Sequence, residues 1–307
     1  MAMCSKTTAN LLLIAALLCY FFILLSINNR VAEESRRERE PPPSPSRDYA
    51  SERIEHSRKD RPAETPKAKP TRRAVEYFKL QVPERRAHLS IVRRSYSKNY
   101  MFLYNNLAPE AFCPELLRVG TTNDGGKWIC SPYSFPTNCN IISLGMNNQI
   151  TFEEELQHMT GNRCRLFAYD MIEQKRHTLS RLAAAGIKAG KVELSDITDQ
   201  EKNQYTIEDL MKMEEISELE ILKVDIEGSE FKIIIPFLRF HTPAQLLIEI
   251  HGTPYETTTL LRDIATLGYW LYSYEINGAW PNLCEFSFIH ENAFERYHVT
   301  PLAQYLL

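Results

Sequence analysis

The chain has 307 residues, 44% hydrophobic and 24% charged, with 36 Lys+Arg against 39 Asp+Glu and a formal net charge of −3. That composition excludes a wholly disordered chain, and eleven Gly exclude a collagen-like one. No repeat of about 20–50 residues recurs, which argues against a solenoid, and the length allows one or two domains.

Residues 1–10 form a short tail. Residues 11–27, LLLIAALLCYFFILLSI, carry no charge. As a helix they span about 25 Å, the lower limit for crossing a bilayer. The apolar run is longer than that of a signal peptide, and Ser26-Ile27-Asn28-Asn29 is a poor cleavage site. The expectation is an uncleaved transmembrane signal anchor. Lys6 before it and Arg30, Arg36, Arg37 and Arg39 after it would keep the C-terminal flank in the cytoplasm by the positive-inside rule. Residues 28–73 read as a stalk. From Val31 to Arg73 there are seven Pro, 12 Lys/Arg and 9 Asp/Glu, and no Leu, Met, Phe, Trp or Cys. Such a segment buries too little apolar surface to offset its ordering entropy, so a disordered tether is expected.

Residues 74–111 look like a helical lead-in, with Val75, Phe78, Leu89, Val92, Tyr96, Tyr100 and Leu103 near helical spacing. Residues 112–307 read as one compact domain. Residues 74–307 hold 22 Lys/Arg and 30 Asp/Glu. A balance of about −8 argues against nucleic acid as a partner. Five cysteines fall here, Cys113, Cys130, Cys139, Cys164 and Cys284, without zinc-ligand spacing. Three of them flank turns or strand ends near the domain start, which suits disulfides in an oxidising compartment and leaves one thiol over. No Asn-x-Ser/Thr sequon occurs.

From residue 140 short β-branched runs alternate with amphipathic ones. Ile141 to Gly145 reads as a strand, and Thr151 with Glu154 as the capping box of a helix. Arg165 to Tyr169 is a strand ending at Asp170, and Glu173 to Ala185 a helix stopped by Gly186. Val192 to Leu194 is a third strand followed by Asp196. Glu220 to Val224 ends at Asp225, and Ser229 to Leu238 is a helix. Gln245 to Ile250 is a strand leading to His251, and Thr257 to Leu267 a helix. Two final strands, near 269–276 and 284–290, join through Asn277-Gly278. The pattern predicts an α/β fold with a mostly parallel sheet closed by an antiparallel hairpin.

Gly145, Asp170, Asp196, Asp225 and Glu249 fall 25, 26, 29 and 24 residues apart. That step is about one βα unit, so each is expected at the C-terminal end of a successive strand, on the sheet edge where α/β ligands bind. The acidic edge and the single Gly of Ser143-Leu144-Gly145-Met146-Asn147-Asn148 disfavour a pyrophosphate. A cationic nucleoside, S-adenosylmethionine, suits the edge. Gly145, Asn147 and Asp225 would face its amino-acid end, Asp170 its ribose and Asp196 its adenine.

The block Ile221-Leu222-Lys223-Val224-Asp225-Ile226-Glu227-Gly228-Ser229-Glu230, with Leu247-Ile248-Glu249-Ile250-His251, resembles the paired segments of FkbM-type methyltransferases. Arg118-Val119-Gly120, Asp124-Gly125-Gly126-Lys127-Trp128-Ile129-Cys130 and Ser143-Leu144-Gly145 followed by Phe152-Glu153 resemble the methyltransferase-like protein 24 group. The resemblance spans about residues 112–290. It implies a Rossmann-like seven-stranded methyltransferase sheet behind one N-terminal membrane segment. It also implies a type II, Golgi or ER lumenal placement and O-methylation of an unidentified secretory-pathway acceptor.

Asp225, Glu227, Glu249 and His251 are the candidate catalytic residues. His251 is a candidate general base, since imidazole titrates near neutral pH. Three of them have a plainer reading: helix-start caps for Asp225 and Glu227, a satisfied loop histidine for His251. Lys223 reads as charge balance, Trp128 and the Asp124-Gly125-Gly126 turn as architecture, and Tyr269, Trp270, Tyr272 and Tyr274 as core. The scheme requires no metal. Two alternatives stand beside it: a non-catalytic methyltransferase-like binding domain, motivated by the missing glycines, and a glycosyltransferase in which Asp225-Ile226-Glu227 mimics a metal-binding Asp-x-Asp. The acceptor, whether sugar, lipid, protein or small metabolite, stays open.

Overall fold

The computed structural model describes residues 68–94, 98–122 and 124–307. The tail, the apolar run 11–27 and the stalk as far as residue 67 lie outside the described residues. Among the described residues no helix is long and apolar enough to cross a membrane. The longest, Arg72–Arg94, carries Arg72, Arg73, Glu76, Lys79, Glu84, Arg85 and Arg86 along its length, and burying those charges in hydrocarbon is prohibitive. No described helix thus supplies the expected anchor, so the transmembrane part of the fold, the membrane as a partner and the Golgi or ER lumenal address find no support among the described residues.

The elements begin with α1 (Arg72–Arg94), α2 (Tyr100–Asn105), β1 (Ala111–Phe112), β2 (Leu116–Val119), β3 (Lys127–Cys130) and β4 (Asn140–Leu144). Then come α3 (Thr151–Met159), β5 (Arg165–Asp170), α4 (Arg176–Ala184), β6 (Lys188–Lys191), β7 (Glu193–Leu194), β8 (Gln204–Tyr205) and α5 (Ile207–Met213). The chain closes with β9 (Ile221–Val224), α6 (Glu230–Leu238), β10 (Gln245–Ile250), α7 (Pro254–Thr266), β11 (Tyr269–Ile276), β12 (Cys284–His290), α8 (Phe294–Tyr297) and β13 (Thr300–Pro301).

Seven strands form the central sheet in the order β11-β12-β10-β9-β4-β5-β6. β12 runs antiparallel to both neighbours, and the other strands share one direction. Strands β9 and β10 are buried along their whole length, as an apolar run covered on both faces should be. One face packs on Leu89, Leu103, Leu210, Ile233 and Leu260 from the α1, α2, α5, α6 and α7 helices. The other packs on Phe152, Leu156, Leu182 and Tyr297 from α3, α4 and α8, with Val119 of β2. The β2–β3 hairpin is antiparallel, and two disulfides, Cys113–Cys130 and Cys139–Cys164, tie it and the start of β4 to their surroundings. Cys284 is free and buried.

Three local expectations change. Thr151 is not an N-cap: Ile150 takes that position without a side-chain bond, the Thr151 hydroxyl is buried without a partner, and Glu154 pairs with Arg181 instead. The capping box lies at Thr253 and Glu256, where Pro254 starts the helix. The third parallel strand is β6, not Val192–Leu194. β6 lies beside β5 with Gly190 opposite Tyr169, where a Cβ would crowd the ring at 3.1 Å, and Glu193–Leu194 pairs with β8 in a separate small sheet.

Candidate active site

The strand order reverses between β4 and β9, and the loops that leave these strands meet there. Gly145 follows β4 with φ +81°, and a Cβ on it would lie 1.7 Å from the Asp225 carbonyl oxygen. No other residue fits this crossing. Asn147 and Asn148 continue the turn with φ of 43° and 61°. Asparagine tolerates the left-handed region better than most residues, so two asparagines do here what further glycines do in a glycine-rich loop. The opposite loop holds Glu227 at φ 54° before Gly228. Backbone strain at a non-glycine of this kind is a feature of functional loops.

These loops open onto a cavity of about 1090 Å³, lined by Gly145, Asn147, Asp170, Asp225, Glu227, Glu249 and His251 among others. Seven of the eight candidate residues are thus brought together. Asp196 is not: it is exposed, with the Ser195 hydroxyl 3.3 Å away, because the parallel strand on this side of the sheet is β6, which ends at Lys191. Val192, Glu193 and Leu194 line the cavity in its place.

Asp170 is buried at the end of β5. One carboxylate oxygen accepts from the backbone amides of Met146 at 2.6 Å and Asn147 at 2.7 Å, and the other from Ile172 at 2.9 Å. It organises the β4 loop as well as facing the cavity. Lys223 points inward from β9 and donates to the carbonyls of Gly145 and Leu144, with its Nζ 3.8 Å from Asp225. The charge-balance role expected of it fits this geometry.

The deeper wall is a charge network that the sequence did not reveal. Glu249, Glu285 and Glu275 stand opposite one another across β10, β12 and β11. Like charges in register destabilise a sheet, and the β2–β3 hairpin supplies the compensation. Lys127, 1% exposed, bonds Glu285 and lies 3.3 Å from Asp225. Arg118 and the Trp128 indole both reach Glu275 Oε2, at 2.8 and 2.5 Å. Trp128 is architecture, as its turn suggested, although Asp124 and Gly125 line the cavity. The Tyr269 and Tyr272 side chains are core.

Burial works against the Asp225 carboxylate, but the ammonium groups of Lys127 and Lys223 outweigh it and hold the group below the usual carboxylate range. Burial, reinforced by Glu285 and Asp225, pushes Glu249 up to about 8, and burial also raises Glu285. The His251 Nδ1 lies 2.6 Å from Oε1 of the fully buried Glu230. Burial opposes the imidazolium, but Glu230, with Glu249 and Asp225, lifts it to about 9. That shift favours the imidazolium form of His251, and its role as a general base stays an expectation.

A family model described as "Methyltransferase domain" matches residues 67–290. The chain belongs to that methyltransferase family. Its fold is that of an S-adenosylmethionine-dependent methyltransferase. No curated protein matches the chain. Two solved structures are similar at low identity. The fibrillarin pre-rRNA processing protein of Methanococcus jannaschii is 12% identical with a TM-score of 0.35, covering 50% of this chain and 67% of its own. The precorrin-6y C5,15-methyltransferase of Geobacter metallireducens is 11% identical with a TM-score of 0.34, covering 52% and 83%.

Sequence reasoning passed over Lys127, Glu153, Glu230 and Glu285. Each is almost fully buried. For Lys127, Glu230 and Glu285 the available signal was a charge beside or within an apolar run, whereas Glu153 stands among Glu154 and Glu155 and gave none.

Proposed function

We propose that this methyltransferase binds S-adenosylmethionine in the cavity and methylates an acceptor seated beside it, the acidic cavity at the strand reversal being the observation that carries the reading. The closer kinship to FkbM-type enzymes and the methyltransferase-like protein 24 group is part of the proposal. Its two sequence blocks converge in space: Lys127 of one and Asp225 of the other are 3.3 Å apart.

The cavity fits the cofactor. Its volume, about 1090 Å³, exceeds the roughly 300–1,000 Å³ of a single small-ligand pocket, which leaves room for cofactor and acceptor together. A carboxylate has about four acceptor positions, and backbone amides take three of those on Asp170, leaving one for a ribose hydroxyl. Met171, Ile172 and Leu194 give apolar surface for a base beside it. Gly145, Asn147 and Asp225 face the amino-acid end. Among the described residues lining the cavity, Lys223 stands among carboxylates, which disfavours a diphosphate bound by the protein alone and with it the glycosyltransferase alternative.

When bound, S-adenosylmethionine supplies a methyl group already activated on a sulfonium. Glu249, His251 and Glu227 face the acceptor side, with exposed Trp280 and Asn277 at its rim. The net negative wall favours the cationic cofactor over its neutral product, and positioning supplies the acceleration.

One observation favours the second reading, a methyltransferase-like domain that binds without transferring. Lys223 already occupies the Gly145 carbonyl, and Asp170 is largely spent on backbone. Calorimetry on the full chain separates the readings. Saturable micromolar heat with S-adenosylmethionine, together with label transfer from tritiated cofactor into fractionated extracts, is expected. Binding without transfer moves the chain to the second reading, and no heat at high micromolar ligand overturns both.

A further inference from the structure

This inference rests on the cavity being the transfer site and concerns its acceptor end. Asp225, Glu249 and His251 place one ligand atom each within 4.8 Å of one another. They come from three separate positions: the loop after β9, the end of β10 and the residue following it. Two carboxylates and one imidazole make a donor set suited to a hard-to-borderline divalent cation.

The histidine is arranged as a metal ligand is. Its Nδ1 is held at 2.6 Å by Glu230, itself 0% exposed. That leaves Nε2 facing the cavity, 4.0 Å from Glu249 and 3.5 Å from Glu227. A carboxylate behind an imidazole fixes its tautomer and raises its basicity in metal sites. A second, independent observation comes from the opposite wall. Glu285 joins Asp124 and Glu249 in another group of three whose ligand atoms lie within 4.8 Å. Glu285 is 7% exposed, and its Oε2 is buried with no hydrogen-bond partner. Lys127 bonds the other oxygen of Glu285, and the bare Oε2 beside the shared Glu249 is a buried acceptor that a cation in the cavity would satisfy.

The geometry points to a divalent cation, of the manganese or magnesium class, bound by Asp225, Glu249 and His251 at the acceptor end of the cavity. Such an ion supplies Lewis acidity and a fixed point of attachment for an acceptor oxygen. Glu230 is then a positioning residue, acting through His251. Lys127 bonds Glu285 and lies 3.3 Å from Asp225, so it balances that side of the donor set and leaves Glu249 and His251 to the ion.

The test is manganese binding to the full chain in the absence of cofactor, followed by the loss of the free-ion electron paramagnetic resonance signal. One tight ion per chain in the micromolar range is expected. His251→Ala and Glu249→Gln should weaken it at least about 100-fold and Glu230→Gln about 10–100-fold, each with a near-native circular dichroism spectrum. His177→Gln, on the exposed face of α4, should leave it unchanged. S-adenosylmethionine calorimetry on the same samples separates the two claims. A chain that binds cofactor but no manganese at millimolar concentration overturns the metal site and leaves the methyltransferase reading intact. Manganese bound equally by wild type, His251→Ala and Glu249→Gln is surface binding and also overturns it.

Discussion

Gly145 and Lys127 mark the two ends of what single residues disclose. Gly145 was legible in the sequence as the turn after a buried strand, but its reason is a crossing of two loops rather than approach to a ligand. Gly145→Ala puts a Cβ into the Asp225 carbonyl and forces a positive φ, so it should cost about 3 kcal/mol or more. Thermal denaturation reads that loss. Lys127 was quoted within a motif without a role, because its partners Asp225 and Glu285 lie 98 and 158 residues away in sequence. Lys127→Met strands the buried Glu285 carboxylate and leaves Asp225 to Lys223 alone, and should destabilise by about 3–5 kcal/mol. Lys127→Met combined with Glu285→Leu should recover much of that, read as a coupling energy in a double-mutant cycle. Additive losses would show that the two side chains act independently.

At the scale of elements, strands β4, β5, β9 and β10 were readable because each is a continuous apolar run ending at a polar residue. β6 was not: Lys188-Ala189-Gly190-Lys191 has neither apolar run nor alternation, and backbone pairing with β5 alone makes it a strand. Asp196 fell out of the site for that reason. The β1–β13 pair shows a similar dependence on distant chain. Glu110, next to β1, accepts backbone amides from Tyr305 at 2.6 Å, Leu306 at 2.9 Å and Leu271 at 3.3 Å. Burial nevertheless raises it from 4.5 to about 7, against those amides and the charge of Arg86. Between these values the unfolded chain has released the proton and the folded chain has kept it. Stability from this group is therefore complete below pH 4.5 and is lost as pH rises to about 7, a change of about 3 kcal/mol. Urea denaturation across pH 4–8 should show that slope, and Glu110→Gln should flatten it. An unchanged slope in the variant places the titration elsewhere. The Cys139–Cys164 disulfide closes a 25-residue separation, and its replacement by two serines should cost about 3 kcal/mol in the chain-entropy model.

The fold brings together residues spread from Tyr100 to Leu283 around one opening. The row of acids at strand ends was visible as a spacing of about one βα unit, and the acidic character of the cleft follows from it. The second layer of that cleft, Lys127, Glu230 and Glu285, was not visible, since it depends on a hairpin folding over the sheet and on register between antiparallel strands. A structure of the full chain with S-adenosylhomocysteine tests the account most directly. The nucleoside should lie against Asp170, Met171 and Ile172, with its sulfur directed toward Asp225, Glu249 and His251. A nucleoside bound on another face, or a cleft that closes on the Lys223–Gly145 contact and admits none, would contradict it.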